Sequence, residues 1–149
     1  MINEDLKLRG DVAIVLKDKN GNVKESREIN NLVVTAGLTF ICARMAAASA
    51  DVMSHMALGS GTTAAAAGDT DLESILGSRE ALDSTSASSN TITYVSSFGA
   101  GEGTGAVTEA GVFNAASSGT MLCRTVFAVV NKAADDTMSV TWTITLTAS

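Results

Sequence analysis

Hydrophobic and polar positions alternate from the start of the chain. Leu6, Leu8, Val12, Ile14 and Leu16 fall at even positions, with Arg9, Asp11 and Lys17 between them. That period of two predicts a half-buried β-strand. Asn20-Gly21 follows, and both residues tolerate positive φ, so a hairpin is expected there. The return strand carries Val23 and Ile29 with Glu25 and Arg27 between them, and its centre is polar on both faces. The hairpin is therefore expected to be partly exposed. The period then changes. Leu38, Ile41, Cys42 and Met45 recur at helical spacing, flanked by Phe40 and Arg44. This predicts a helix over 36–48 with Thr35 as its N-cap, lying as a lid on one end of a β core.

Beyond the helix the pattern is that of strands. Val52–Leu58, Thr91–Phe98, Ala106–Phe113, Met121–Val130 and Met138–Leu146 are separated by Gly/Ser/Asn clusters. Residues 59–71 form a tongue, and 75–81 fit neither period. The last strand alternates most cleanly. Val140, Trp142, Ile144 and Leu146 are expected to face inward, with Ser139 and Thr141, Thr143, Thr145 and Thr147 as an outward hydroxyl stripe. The expected fold is mainly β, a jelly-roll-like antiparallel β-sandwich with one short α-helix. It is read as a single domain over 1–149, with an N-terminal hairpin at 1–34, the helix at 36–48 and the main β body at 52–147.

Composition refines this picture. A chain of 149 residues buries roughly 68% of the surface it exposes when unfolded, so it needs neither disulfides nor metal to build a core. Only 4% of residues are aromatic, so Val, Ile, Leu, Met and Ala must build that core, and oligomerisation would supplement it. There is no Pro and there are 13 Gly, so the loops take their dihedrals from Gly, Asn and Ser. The net charge of −6 is uneven. Residues 1–30 hold six basic and six acidic side chains, and residues 31–149 hold four and ten. An acidic body argues against nucleic-acid binding, which needs a basic face. No apolar run approaches the roughly 18 residues of a membrane span. The N-terminus has no apolar leader core, so the chain is expected to remain in the cytoplasm of the cell that makes it. Cys42 and Cys123, the only cysteines, read as two small buried hydrophobes. Spacing alone does not decide whether they are bridged.

No catalytic, cofactor-binding or metal-ligating set emerges. The run Gly99-Ala-Gly101-Glu-Gly103-Thr-Gly105 opens no helix and lacks the Lys-Ser/Thr of a phosphate loop, so it reads as a hairpin loop. Asp69, Asp71 and Glu73 lack the register of a calcium loop. Asp69 or Thr70 instead reads as the cap of a short helical turn over 71–76. His55 adjoins Ser54, but neighbours on a strand point to opposite faces, which argues against a nucleophile–base pair. Glu102 and Glu109 have little aromatic surface near them to bind sugar. Two structural roles remain. Glu109 lies in an apolar strand, and Arg79 and Arg124 are isolated cations, so a buried or interfacial Glu–Arg pair is expected. The tongue residues Gly59, Ser60, Gly61, Thr62, Thr63 and Gly68 have no large apolar side chain among them to anchor them on their own domain. Contact with a neighbour is therefore expected there.

Four segments together carry a resemblance. They are NLVVTAGLTFICARM from Asn31 to Met45, MSHMALGSGTTAAAAGDTDLESILGSREAL from Met53 to Leu82, TEAGVFNAASSGTMLCRTVFAVVNK from Thr108 to Lys132, and the closing TMSVTWTITLTAS. The chain resembles small virion structural proteins of tailed bacteriophages, a family that includes head cement (decoration) proteins and short tail-fibre or adaptor-like proteins. The resemblance implies a non-enzymatic protein, made in the bacterial host cytoplasm and placed on the capsid surface of the virion. It would form a dimer or trimer of itself and bridge copies of the major capsid protein. It implies no cofactor, no small-molecule substrate, no nucleic acid and no membrane. A tail-fibre or baseplate adaptor is the alternative, although the chain is short and has no repeats or coiled-coil stem. A carbohydrate-binding module is a distant alternative, because aromatic platforms are missing.

Overall fold

The computed structural model describes residues 5–46 and 50–148. The elements are β1 (Leu6–Lys17), β2 (Val23–Val33), α1 (Thr35–Met45), β3 (His55–Gly59), β4 (Glu80–Ala81), β5 (Ser84–Ser88), β6 (Thr91–Phe98), β7 (Gly105–Phe113), β8 (Met121–Lys132) and β9 (Thr137–Ala148). The strands pair antiparallel in the order β4-β3-β7-β8-β2-β1-β9-β6-β5. The sheet curls so that its two halves face one another across one core, giving a mainly β, sandwich-like fold with one helix.

The alternation in β1 and β9 sets the first half. β1 pairs with β9 over its whole length, Val12 opposite Trp142 and Ile14 opposite Val140. β6 flanks β9 on the other side, with Tyr94 opposite Trp142. Trp142 is completely buried, with Val12, Tyr94 and Phe98 in the same cluster. The facing half supplies Met56, Leu58, Val107, Ala110, Val112, Leu122 and Val130. The joint between the halves is slight: β2 meets β8 only through Leu32–Arg124 and Val33–Cys123. Side chains take over where that ladder stops. Arg27 donates to the carbonyls of Ala128 and Val129 and pairs with Glu25. Lys24 pairs with Asp136 over 2.7 Å, and the Thr125 hydroxyl donates to Asn30 O. The polar centre of β2 thus holds the split open edge together.

The Asn20-Gly21 turn is present, with Gly21 at φ +83°. Its loop is closed by Asp18, whose carboxylate accepts the Asn20 and Asn22 amides.

Several local expectations are corrected. The helix runs from Thr35 to Met45, with Ala46 as its C-cap; residues 47 and 48 lie outside the described residues. Val34, not Thr35, is the N-cap, and it makes no side-chain capping bond. The start is set instead by tertiary contact, because Val34 is buried and its N–H donates to Leu122 O. The helix is also rotated from the expected facing. Gly37 is its one fully buried residue. A Cβ there would lie 2.1 Å from Leu122 O, so glycine lets the helix backbone rest on β8. Phe40 and Ile41 pack on the core, while Leu38, Cys42 and Met45 are exposed. Cys42 is therefore not a buried hydrophobe. Cys123 is buried, and both thiols are free.

The strand expected from Val52 begins only at His55. Residues 71–76 make no helical turn; Ile75 forms an isolated bridge with Gly59 instead. β5, with no apolar signal, forms by pairing with β6.

Candidate interaction site

The site grows out of β7. A register shift between Val107 and Glu109 sets Ala110 and Val112 toward the main core. Glu109, Gly111 and Phe113 then occupy the opposite face. That face is covered too, because the chain from Gly59 to Arg79 folds back across it. Leu72 packs against a second small cluster of Val34, Ala57, Phe113 and Met121. Strand β7 is consequently buried on both faces from Val107 onward, and Glu109 is sealed in.

A sealed carboxylate requires donors, and the tongue supplies them. Oε1 of Glu109 accepts the Gly61 amide at 3.0 Å and the Ser74 amide at 2.7 Å. Oε2 accepts the Glu73 amide at 3.0 Å and Nε of Arg124 at 3.0 Å. Nη2 of Arg124 lies 2.8 Å from Oε2. Glu109 is fully buried and the Arg124 side chain is 3% exposed. Arg124 then reaches outward, donating to Asp69 Oδ2 at 2.8 Å and to Thr63 O at 3.1 Å. Asp69 also accepts the Ala66 amide at 2.9 Å. The Thr108 hydroxyl donates to Gly61 O at 2.7 Å. Both ends and the middle of the tongue are thus tied to β7 and β8 by charge-assisted bonds.

The electrostatics follow from these contacts. The Ala66 amide, and then Arg124, hold the Asp69 carboxyl below its ordinary value, against the desolvation that would raise it. Burial opposes the Arg124 charge, but its bonds to Glu109 and Asp69 outweigh that and raise its pKa. Nothing at this centre is an activated nucleophile or an open metal position. Its chemistry is that of a fastener.

The expected site residues are placed as follows. Glu109 and Arg124 are brought together. Arg79 is not part of that pair. Its guanidinium lies over the Phe113 ring at 3.6 Å from the centroid, donates to Ala115 O and Ser118 O, and sits 3.5 Å from Asp71. It ties the β7–β8 loop to the end of the tongue segment. Gly59 and Gly61 are buried against Glu109. Ser60 is half-buried, its N–H donating to Ser74 O. Thr62, Thr63 and Gly68 are exposed. The premise that the tongue lacks an anchor on its own domain is corrected: the anchor is polar rather than apolar. Asp69 caps no helix but completes the ion-pair chain, and neither its role nor that of Thr108 was foreseen.

The reading of Ser54 and His55 as pointing apart is also corrected. Ser54 precedes β3, so strand alternation does not govern it, and its Oγ lies 2.8 Å from Nδ1 of His55. Lys132, buried at the far end of β8, donates to Gly99 O at 2.8 Å, and burial lowers its pKa. Among the described residues no three metal-ligating side chains cluster, and no helix is long and apolar enough to cross a membrane. No family model, no curated protein and no solved structure matches this chain.

Proposed function

We propose that this chain is a non-enzymatic virion structural protein, a head cement protein that binds neighbouring major capsid proteins on the outer shell. The observation that carries the reading is the fastening of the tongue from within by Glu109 and Arg124. That fastening spends two buried charges and several amides to hold up a loop of small exposed residues, Thr62, Thr63, Ala64 and Ala66 to Gly68. A loop ordered in advance loses little entropy on docking, and its small side chains permit close backbone approach to a partner. Such a loop suits a contact repeated many times over a lattice. Each contact is weak, and binding only the expanded shell shifts the equilibrium toward it.

The test is to add purified protein to expanded shells that lack it and to image the particles. Density distributed over the shell supports the reading. Density at the tail or its attachment point replaces it with the adaptor reading. Thr62→Trp and Ala64→Trp, both at exposed positions, should weaken shell binding without lowering the melting temperature.

A further inference from the structure

We infer that the exposed face of α1, with the apolar groove beside it, is where two copies of this chain meet about a twofold axis. The inference rests on the reading above only for the expectation that the chain acts in several copies. The groove, of about 430 Å³, lies at the mouth of the sandwich. Phe40, Ile41, Met45 and the charged Arg44 of α1 form one wall, and Ile92, Ile144 and Leu146 of β6 and β9 form the other. Beside it Leu38, Cys42 and Met45 make an exposed ridge at helical spacing. Met45, 82% exposed, belongs to both ridge and groove wall.

Three features point to a second copy as the occupant. The first is symmetry. A twofold interface must match itself, and this ridge is centred on Cys42. Two α1 helices antiparallel about that point set Met45 of one copy against Leu38 of the other. Flexible Met side chains can then turn into the flanking grooves. The second is charge. Arg44, the only charged residue of α1, is exposed and lines the groove, but its guanidinium is engaged by Ala50 O at 2.9 Å. Ile92, Ile144 and Leu146 add no charge, so none of the acidic residues behind the −6 of the chain lines the groove. The third is area. Leu38, Met45 and Leu6 are 43%, 82% and 62% exposed. Leu6 lies two residues beyond the Leu8–Leu146 pair, on the same face of the sheet. Together these three leave on the order of 350 Å² of largely apolar surface in water, the size of the largest patch on an ordinary monomer, which is often functional. That is about half of the ~800 Å² per partner in a stable dimer, and the groove lining and polar rim would supply the rest.

Cys42 is a built-in probe, since it is exposed while Cys123 is buried. Mild oxidation of the full chain with copper-phenanthroline should yield a disulfide-linked dimer. Cys42→Ser should abolish it and Cys123→Ser should not. In sedimentation, Met45→Asp and Leu38→Asp should each weaken the dimer at least ~10-fold, with unchanged circular dichroism and melting because both positions are exposed. A protein monomeric at all concentrations would overturn the proposal, as would a dimer indifferent to both substitutions. Protection of Met45 only on mixing with shells would assign the groove to a shell protein and also overturn it. A monomer that still decorates shells leaves the cement reading standing, and a dimer that binds no part of the particle removes that reading alone.

Discussion

The Gly61 amide donates to Oε1 of Glu109 at 3.0 Å, and a Cβ on Gly61 would lie 2.5 Å from that same oxygen. The tongue therefore approaches the buried carboxylate as bare backbone. Gly59 stands in the same relation, its added Cβ 2.5 Å from Oε1 and 2.6 Å from Ser74 O.

Gly61→Ala should push the tongue off Glu109. The expected cost is about 1–3 kcal/mol, as for other overpacked sites. Urea unfolding measures it, and amide exchange should quicken at Gly61, Glu73 and Ser74 while Trp142 keeps its protection. An unchanged midpoint with unchanged exchange would show that the tongue yields without loss.

Glu109→Ala leaves the Arg124 guanidinium buried beside an empty site. Breaking one partner of a buried pair costs about 3–5 kcal/mol. Arg124→Met in the same chain should recover part of that loss, because no fully buried charge is then stranded; Asp69 loses its cation but is 25% exposed. A double-mutant cycle by chemical denaturation tests this. Strict additivity of the two single changes would show that they do not act as a pair.

Acid should weaken both the ties of the tongue and the joint between the two halves of the sheet. Asp69 is held below its ordinary 3.8 by the Ala66 amide and Arg124, and Asp136 likewise by Lys24 and the Ala133 amide. A carboxyl whose folded pKa is depressed stabilises the fold above its unfolded pKa. It loses that contribution as the pH falls through the folded value. Stability should therefore hold from about pH 7 to pH 5 and decline below about pH 4. Asp69→Asn should lower the plateau and shallow the acid slope. An identical slope in wild type and variant would assign acid sensitivity to other carboxylates.

Trp142 fills the middle of the core, yet its Nε1 has no hydrogen-bond partner. Trp142→Ala should cost about 3–5 kcal/mol through the cavity it leaves. Trp142→Phe should cost less than half of that, since it also removes a buried, unsatisfied N–H. Native fluorescence should be blue-shifted and move to the red on unfolding. A red native maximum would mean an exposed ring.

Strands whose own side chains alternate were legible in one dimension. β1, β6, β7, β8 and β9 all stand close to where the sequence set them: in β1, β6 and β9 burial of alternate residues leaves its mark, and β7 and β8 are apolar runs bounded by Gly/Ser/Asn clusters. The Asn20-Gly21 turn and the suitability of Glu109 and Arg124 for pairing were legible for the same local reasons. The remainder depended on partners distant along the chain. α1 was rotated by the approach of Gly37 to Leu122, a contact that no hydrophobic stripe encodes. β5 carries only small polar residues and a lone alanine, so pairing with β6 alone makes it a strand. The tongue shows no apolar anchor in its sequence because its anchor is a carboxylate on β7, which adjoins β3 in the sheet but lies 48 residues beyond Gly61 in the chain. Periodicity records which side of an element meets apolar surroundings. It does not record which distant donor will satisfy a buried charge, and here that choice belonged to the tertiary structure.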